Sequence, residues 1–541
     1  MNVREVGVVG LGTMGAGIAE VFARAGLQIT AVEADPEALS RGMSILDRSL
    51  RKHVSRGRLT EDEYAEIAGR VRPGPAIDAV SGADLVVEVV PEQLAIKHAV
   101  IAELDQVLRP SAIIATNTSS LSVTTIAAGS AHPGRVVGMH FFNPAQMMRL
   151  VEVVTTVLTE PAVADAVTSL AARLGKTPVR VTDRAGFVAN ALLLPYLNHA
   201  ARLVEVGYAS RDDIDLAATG GIGLPMGPLA LLDLIGLDTS LAILEVLERE
   251  FGGSRYVPAP LLRRLTDAGR TGRKSGAGFY EYGEQGAAGS AADSTSQEDA
   301  DLPTAPGTVT LIDPAVSAEP VSGAGAAVGG AAAAESGIGA GALAAGGEPA
   351  AHSDRAADLA SLIAAAGISV TRNPAHPSEL VIIAIGPEGG VLAPATAAGR
   401  AADAVGLHLP APGLAELVSN AFTSDRAVAT ARALVARLGL RAVRSADRPG
   451  LLVGALLFAH LRDAVAMVAD GYATPDAVDT AMTLGCGYPR GPMRLLADAG
   501  PDEAMRVLAA MHAGYGDPAF APPPLLRDYA LSGLGPVGKG A

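Results

Sequence analysis

The sequence predicts an α/β protein: an N-terminal doubly wound parallel sheet, an all-helical domain, then a degenerate second copy of both. Three observations carry this. A buried-strand pattern, Val6-Gly7-Val8-Val9, runs directly into Gly10-Leu11-Gly12-Thr13-Met14-Gly15 and a helical stretch over 16–25. From Gly186 the apolar period changes from that of strands to that of helices. The second half then echoes the first at a constant spacing of 264: Asp447 after Asp183, Pro489 after Pro225, Glu416 after Glu152.

The chain of 541 residues has room for two to four domains. A net charge of −15 argues against a nucleic-acid partner. The single cysteine, Cys486, allows no internal disulfide and fits a reducing compartment. There is no basic, apolar leader, and no uninterrupted apolar run approaches the roughly 20 residues of a membrane span. The expectation is a soluble, cytoplasmic protein without a membrane partner.

Along the chain, Gly10 permits a tight turn, Gly12 lets a pyrophosphate approach the backbone, and Gly15 lets helix pack on strand. The helix N-terminus then faces the phosphates, flanked by Leu11, Thr13 and Met14. The next strand, 28–32, ends in Glu33, where an acid grips both ribose hydroxyls. No arginine follows to neutralise a 2′-phosphate, so NAD is expected over NADP. A long helical pattern over 36–58 ends in a basic run holding Ser49, Lys52 and Arg56. It is either a solvated helix face or a landing site for an anionic substrate.

Later strands end in Pro91-Glu92, in Asn117-Thr118-Ser119-Ser120 and in His140-Phe141-Phe142-Asn143. In a parallel sheet such ends meet in one crevice. His140 is followed by a further strand carrying Glu152, a general base with an orienting carboxylate. The helical domain covers 186–282, with a long helix over 187–206 bearing Asn190 near its start. Residues 283–354 lose pattern; the Gly/Ala/Ser stretch over 322–347 reads as disordered linker. Thr308–Ile312 reads as one isolated strand within it.

These residues resemble the NAD-dependent 3-hydroxyacyl-CoA dehydrogenase family, most of all its bacterial 3-hydroxybutyryl-CoA members. The resemblance rests on Gly10–Gly17, Asn117-Thr118-Ser119-Ser120-Leu121, Gly138–Pro144, Leu150–Val153, Gly186–Asn190 and Gly276–Tyr280. It covers the first 282 residues, which places a Rossmann-type domain over 1–185. The resemblance implies a catalytic His140–Glu152 pair assisted by Ser119 and Asn190. It implies NAD contacts at Glu33, Glu92, Lys97, Ser119, Asn143 and Lys274 besides the glycine loop. For an acyl-CoA substrate it implies contacts near Ser49 and Arg56, with Lys52 of the basic run and Ser119 as further candidates. No metal is implied.

The second half reads as a sheet remnant over 355–445 and a helical domain over 446–535. Leu380–Ile385 resembles the strand 85–90, and His408 looks like the counterpart of His140. Asn190, however, corresponds to Gly454, and neither the glycine loop nor Asn-Thr-Ser-Ser recurs. The second copy therefore reads as cofactor-free, serving as a built-in partner for the first helical domain or as part of a homodimer. The rival activities are a 3-hydroxyadipyl-CoA dehydrogenase and a non-catalytic protein reusing the fold. A hydroxyisobutyrate-type dehydrogenase would need a lysine where Asn190 sits.

Overall fold

The computed structural model describes residues 3–283, 302–314, 350–533 and 535–536. Eight strands build the first sheet: β1 Glu5–Val9, β2 Gln28–Val32, β3 Val71–Gly74, β4 Leu85–Glu88, β5 Ile113–Thr116, β6 Val136–Phe141, β7 Leu150–Thr155 and β8 Thr177–Thr182. Their order is β3-β2-β1-β4-β5-β6-β7-β8. All neighbours are parallel except β6 and β7. Strands in such a sheet are buried on both faces and read as continuous apolar runs. Accordingly Val6 and Val8 join one core and Val9 and Val86 the other. The chain reverses direction of travel between β1 and β4, which opens a crevice beyond their carboxyl ends.

Local chemistry sets the elements around it. Helix Thr13–Arg24 begins at Gly12 with no side-chain cap, so its first N–H groups stay available for an anion. Helix Pro36–Ser55 starts with Pro36 behind an Asp35 cap that accepts from the Ala38 N–H. It buries the stripe Gly42, Leu46 and Leu50. The helical layer opens with helix Ala189–Glu205 and continues through Arg211–Leu216, Pro228–Ile235, Leu237–Phe251 and Pro260–Asp267. Phe187 stands just before the first of these at φ 49°, outside the helix expected over 187–206.

The second sheet is larger than the sequence suggests. It holds β9 Thr308–Ile312, β10 Ser369–Thr371, β11 Leu380–Ala384, β12 Ala404–Ala411, β13 Leu414–Ser419 and β14 Arg441–Ala446, in the order β10-β9-β11-β12-β13-β14. The strand expected to be isolated, β9, pairs with both β10 and β11. Helix Ala350–Ala365 packs on the same sheet through Leu359 and Ile363. The second copy therefore starts at Thr308 and not at 355, and the 283–354 linker is interrupted by a core strand. The 322–347 stretch lies outside the described residues.

A further correction concerns β11. Asp183 accepts from the Val123 and Thr124 N–H groups after β5, and Asp447 accepts from the Gly390, Val391 and Leu392 N–H groups after β11. Since Asp447 is the repeat of Asp183, β11 corresponds to β5 and not to β4. Among the described residues the second sheet lacks counterparts of β3 and β4. Asp313-Pro314 follows β9, the topological equivalent of β1, where the first copy has its glycine loop.

The two helical layers share one apolar core. Helix Leu451–Ala469 packs against helix Ala189–Glu205. It is 19 residues long with a mean hydropathy of 1.8, enough by length and composition to cross a membrane, yet 72% of that stretch is buried in this protein. His460, Arg462 and Asp463 interrupt its apolar run. Tyr208 and Tyr472, equivalent in the two halves, each donate across the seam, to the Leu451 carbonyl at 2.8 Å and the Thr182 carbonyl at 2.9 Å.

Candidate active site

His140 on β6 and Glu152 on β7 are register partners in the antiparallel pair. Their side chains share one face. His140 Nδ1 lies 2.7 Å from Glu152 Oε2. Oε1 of the same carboxylate accepts from the Val188 and Ala189 N–H groups at 3.0 and 3.1 Å. Glu152 is fully buried, which a carboxylate tolerates only with its acceptors satisfied. The left-handed backbone at Phe187 aims those two N–H groups at it. Because an acceptor faces Nδ1, that nitrogen carries the proton and Nε2 keeps the free lone pair. Phe142 and Phe187 pack on the imidazole, with ring centroids 4.5 and 5.5 Å away.

Ser119 and Asn190 come together beside this pair. Asn190 Nδ2 donates to the Ser119 carbonyl at 3.4 Å, and Asn190 stands one residue past the N–H groups that clamp Glu152. The turn holding Ser119 is organised by Glu92. One carboxylate oxygen accepts from the Thr118 hydroxyl at 2.7 Å, the Ser119 N–H at 2.9 Å and the Ser120 N–H at 3.0 Å. Burial would raise the Glu92 pKa, but Lys97 and these donors outweigh it and hold it below the usual glutamate value.

Lys97 is placed differently from the expectation of a cofactor contact. It is 1% exposed. Its ammonium is coordinated by Glu88 at 2.9 and 3.2 Å, by Glu92 at 3.4 Å and by the Val90 carbonyl at 3.4 Å. No donor is left to offer, so Lys97 positions Glu92 from beneath. Lys274 is exposed and pairs with Asp238 of the helical layer at 2.6 Å.

The glycine loop has the shape an NAD pyrophosphate needs. A Cβ on Gly10 would fall 2.6 Å from the Val89 carbonyl, and one on Gly15 would fall 1.8 Å from the Gly10 carbonyl. Beyond Gly12 there is open space, in front of an uncapped helix N-terminus. Glu33 reaches the same loop, its carboxylate accepting from the Leu11 N–H at 2.6 Å. Asn143 precedes a cis Pro144, and both wall a hollow with Thr13 and Ser49.

Ser49, Lys52 and Arg56 line one cleft of about 540 Å³ with Pro144, His53 and Arg58. Charge there is positive in a chain that is acidic overall. Sequence reading missed His53 and Arg58 as members, although both stand in the basic run. Asn117, read from the sequence only as a polar strand end, has an Oδ1 that accepts from the Phe141 N–H at 2.8 Å and ties the end of β5 to the strand of His140.

The second copy retains the pair without the rest. His408 Nδ1 lies 2.7 Å from Glu416 Oε2, and Oε1 accepts from the Leu452 and Val453 N–H groups, both at 2.8 Å. Gly454 takes the place of Asn190, and a Cβ there would lie 3.6 Å from Pro387. This clamp fastens a hairpin to a helix N-terminus, so it persists where no cofactor loop does.

Comparisons with known proteins point to one family. Residues 5–184 match the NAD-binding domain of 3-hydroxyacyl-CoA dehydrogenase. Residues 186–282 and again 450–540 match its C-terminal domain. A 3-hydroxybutyryl-CoA dehydrogenase of Mycobacterium tuberculosis is 45% identical over 282 residues, covering 52% of this chain and 99% of that protein. The 3-hydroxyadipyl-CoA dehydrogenase of Escherichia coli K12 is 33% identical over 532 residues, 98% of each chain. The crystal structure of a 3-hydroxybutyryl-CoA dehydrogenase from E. coli K12 superposes with a TM-score of 0.75 at 30% identity, covering 98% of this chain and 99% of that one. With both domains matched in order, and with a relative 33% identical over 98% of each chain, the chain belongs to the NAD-dependent 3-hydroxyacyl-CoA dehydrogenase family.

Proposed function

We propose that this enzyme reversibly oxidises a short-chain (S)-3-hydroxyacyl-CoA, of the 3-hydroxybutyryl-CoA kind, to the 3-oxoacyl-CoA. The observation that carries the reading is the orientation of His140: Nδ1 is committed to Glu152, which leaves Nε2 as a base at the end of the strand. NAD, when bound along the glycine loop, supplies the acceptor for the C3 hydrogen and its electron pair. His140 Nε2 takes the proton of the 3-hydroxyl as the carbonyl forms, and Glu152 stabilises the charged ring. Ser119 and Asn190 hold the reacting oxygen or the thioester carbonyl in line. Phe142 and Phe187 keep water from the imidazole. Lys52 and Arg56, with Ser49, receive the CoA phosphates. In the reverse direction His140 returns the proton.

A second reading, oxidation of 3-hydroxyadipyl-CoA, is favoured by the likeness to that E. coli enzyme over the full length, second copy included. A cytoplasmic location fits work on CoA thioesters and a reducing setting for Cys486. We also propose that the second helical layer serves as an internal partner, making the enzyme a monomeric pseudo-dimer. The functional test is a panel of 3-hydroxyacyl-CoA substrates read by NADH absorbance. NADH formation with 3-hydroxybutyryl-CoA or 3-hydroxyadipyl-CoA is expected; none with any member would sink the reading.

A further inference from the structure

The two halves enclose a cavity of about 500 Å³ between helices Ala189–Glu205 and Leu451–Ala469. Its walls come in pairs spaced by the repeat of 264: Tyr196 with His460, His199 with Asp463, Arg255 with Ala519. The cavity therefore lies where equivalent parts of the two copies meet. Two identical chains would present the same residue from both sides of such a meeting point. Here none of the three pairs matches, so the cavity is chemically asymmetric. An adjoining surface groove of about 980 Å³ shares Ser254, Arg255, Asp517 and Ala519 with it and provides a way in.

Several polar atoms of this cavity lack partners. Tyr196 and His460 are each 4% exposed. The Tyr196 hydroxyl and both His460 ring nitrogens have no hydrogen-bond partner, and neither have His199 Nε2 and Arg202 Nε. Buried polar groups are normally satisfied. The acids of the wall do not serve them. Asp463 accepts from Arg255 and from Arg462, and Asp517 accepts from the Ser254 hydroxyl at 2.7 Å and the Ala519 N–H at 2.9 Å. Arg202 donates to the Ser254 and Val257 carbonyls and not to a carboxylate. Burial lowers its pKa in spite of Asp517, Glu205 and Glu248 nearby. The Ala455 carbonyl bonds the His199 ring and Nε2 is the unpartnered nitrogen, so Nδ1 carries the proton and Nε2 offers a lone pair. The cavity thus holds three donors, Arg202 Nε–H, the Tyr196 hydroxyl and one His460 nitrogen, around the acceptor His199 Nε2. Pro195, Ala459 and Phe520 add an apolar wall.

We propose that this cavity is a binding site for a short hydroxy carboxylic acid, whose carboxylate accepts from Arg202, Tyr196 and His460 and whose hydroxyl donates to His199. A monoanion of this kind gives Arg202 the counter-charge that its carbonyl partners do not supply. Its carboxylate oxygens take the three donors, its O–H meets the lone pair, and its short carbon chain covers the apolar wall. A simple fatty acid would leave His199 Nε2 unpaired, the situation in which polar sites discriminate most strongly. Because the contacts come from both copies, the bound acid ties the two halves together. None of these residues belongs to the glycine loop, the basic cleft or the His140 pair, so the site is independent of the substrate that the dehydrogenase oxidises.

The test is calorimetry on the full chain with NAD and acetoacetyl-CoA present, two oxidised partners that fill the active site and cannot react with each other. The probes are 3-hydroxybutyrate and butyrate, which differ by the one hydroxyl. 3-Hydroxybutyrate should bind on the order of tenfold more tightly than butyrate, the weight of a buried lone pair satisfied. Tyr196→Phe should weaken both acids by on the order of tenfold. His199→Phe should weaken only the hydroxy acid and bring the two level. Thermal melts establish that each variant is folded, and Tyr196→Phe, which keeps its ring, carries the test should His199→Phe not fold. In the unaltered protein 3-hydroxybutyrate should also raise Tm. Binding of neither acid would mean that the cavity holds water only, and would overturn the proposal. Equal affinity for the two acids, or a difference that survives in folded His199→Phe, overturns it as well. So does binding that NAD and acetoacetyl-CoA abolish, which would place the acids in the active site.

Discussion

Glu152 divides its two oxygens between a side chain and the backbone, one for His140 and one for the helix that carries Asn190. The proposed base and the attachment of the helical layer therefore share one buried group. His140→Gln should leave the fold and NADH binding intact while kcat falls on the order of 10²–10⁴-fold, the usual weight of a general base. A variant with near-normal kcat would remove His140 from that role. Glu152→Gln should lower kcat and also Tm, because its amide N–H₂ must face a donor and leaves a buried group unsatisfied at a cost of about 1–3 kcal/mol. Thermal melts and kcat of the two variants separate these effects: His140→Gln moves mainly kcat, Glu152→Gln both. Glu33 stands at the glycine loop, held by the Leu11 N–H. Repulsion between its carboxylate and a 2′-phosphate should make kcat/KM for NAD exceed that for NADP by on the order of 100-fold. Glu33→Gln should narrow the ratio; equal values in the unaltered enzyme would count against the assignment.

At the scale of elements, the two long helices Ala189–Glu205 and Leu451–Ala469 cross at the seam of the molecule, and titratable groups are buried with them. His199 and His460 are each pushed down to about 4 by burial. Arg202 adds to the effect at His199, while Asp463 opposes it at both rings and Asp517 at His199. Each ring is neutral in the folded chain and takes up its proton near pH 6.5 in the unfolded one. The stability they contribute is therefore complete above about pH 6.5 and is lost as pH falls through about 4. Tm should decline over that window, by up to about 3 kcal/mol of stability per ring. The doubly substituted His199→Gln, His460→Gln protein should show a flatter Tm–pH curve between 6.5 and 4. Parallel curves would show that the seam is not what titrates.

Across the whole molecule, each sheet is covered by a helix from the other half. Helix Pro475–Gly485 lies on β7 and β8 of the first sheet, and the turn of π-helix Ala217–Ile222 lies on β12 and β13 of the second. One continuous apolar core joins the helical layers, which a chain ending near Gly283 would leave open. Such a fragment should dimerise or aggregate, whereas the full chain should scatter light as a monomer. A fragment that is monomeric, soluble and fully active would refute the internal-partner reading.

The sequence by itself determined what is encoded within a few residues: the glycine loop, the acid after β2, the His140 and Glu152 strands, the Asn190 turn and the 264-residue repeat. Each is a local pattern whose backbone consequence is the same wherever the chain goes. The tertiary structure alone decided the rest. A five-residue strand such as Thr308–Ile312 has no periodicity to tell an isolated strand from a central one; its partners lie more than 50 residues away. Lys97 reads as a free cation until Glu88 and Glu92 are seen to enclose it. Leu380–Ala384 resembles either of two apolar strands, and only the Asp447 clamp identifies it. The approach of Gly485 to Phe142, the ring packed on His140, joins residues more than 300 positions apart. Such contacts depend on the packing of whole layers, which no local pattern encodes.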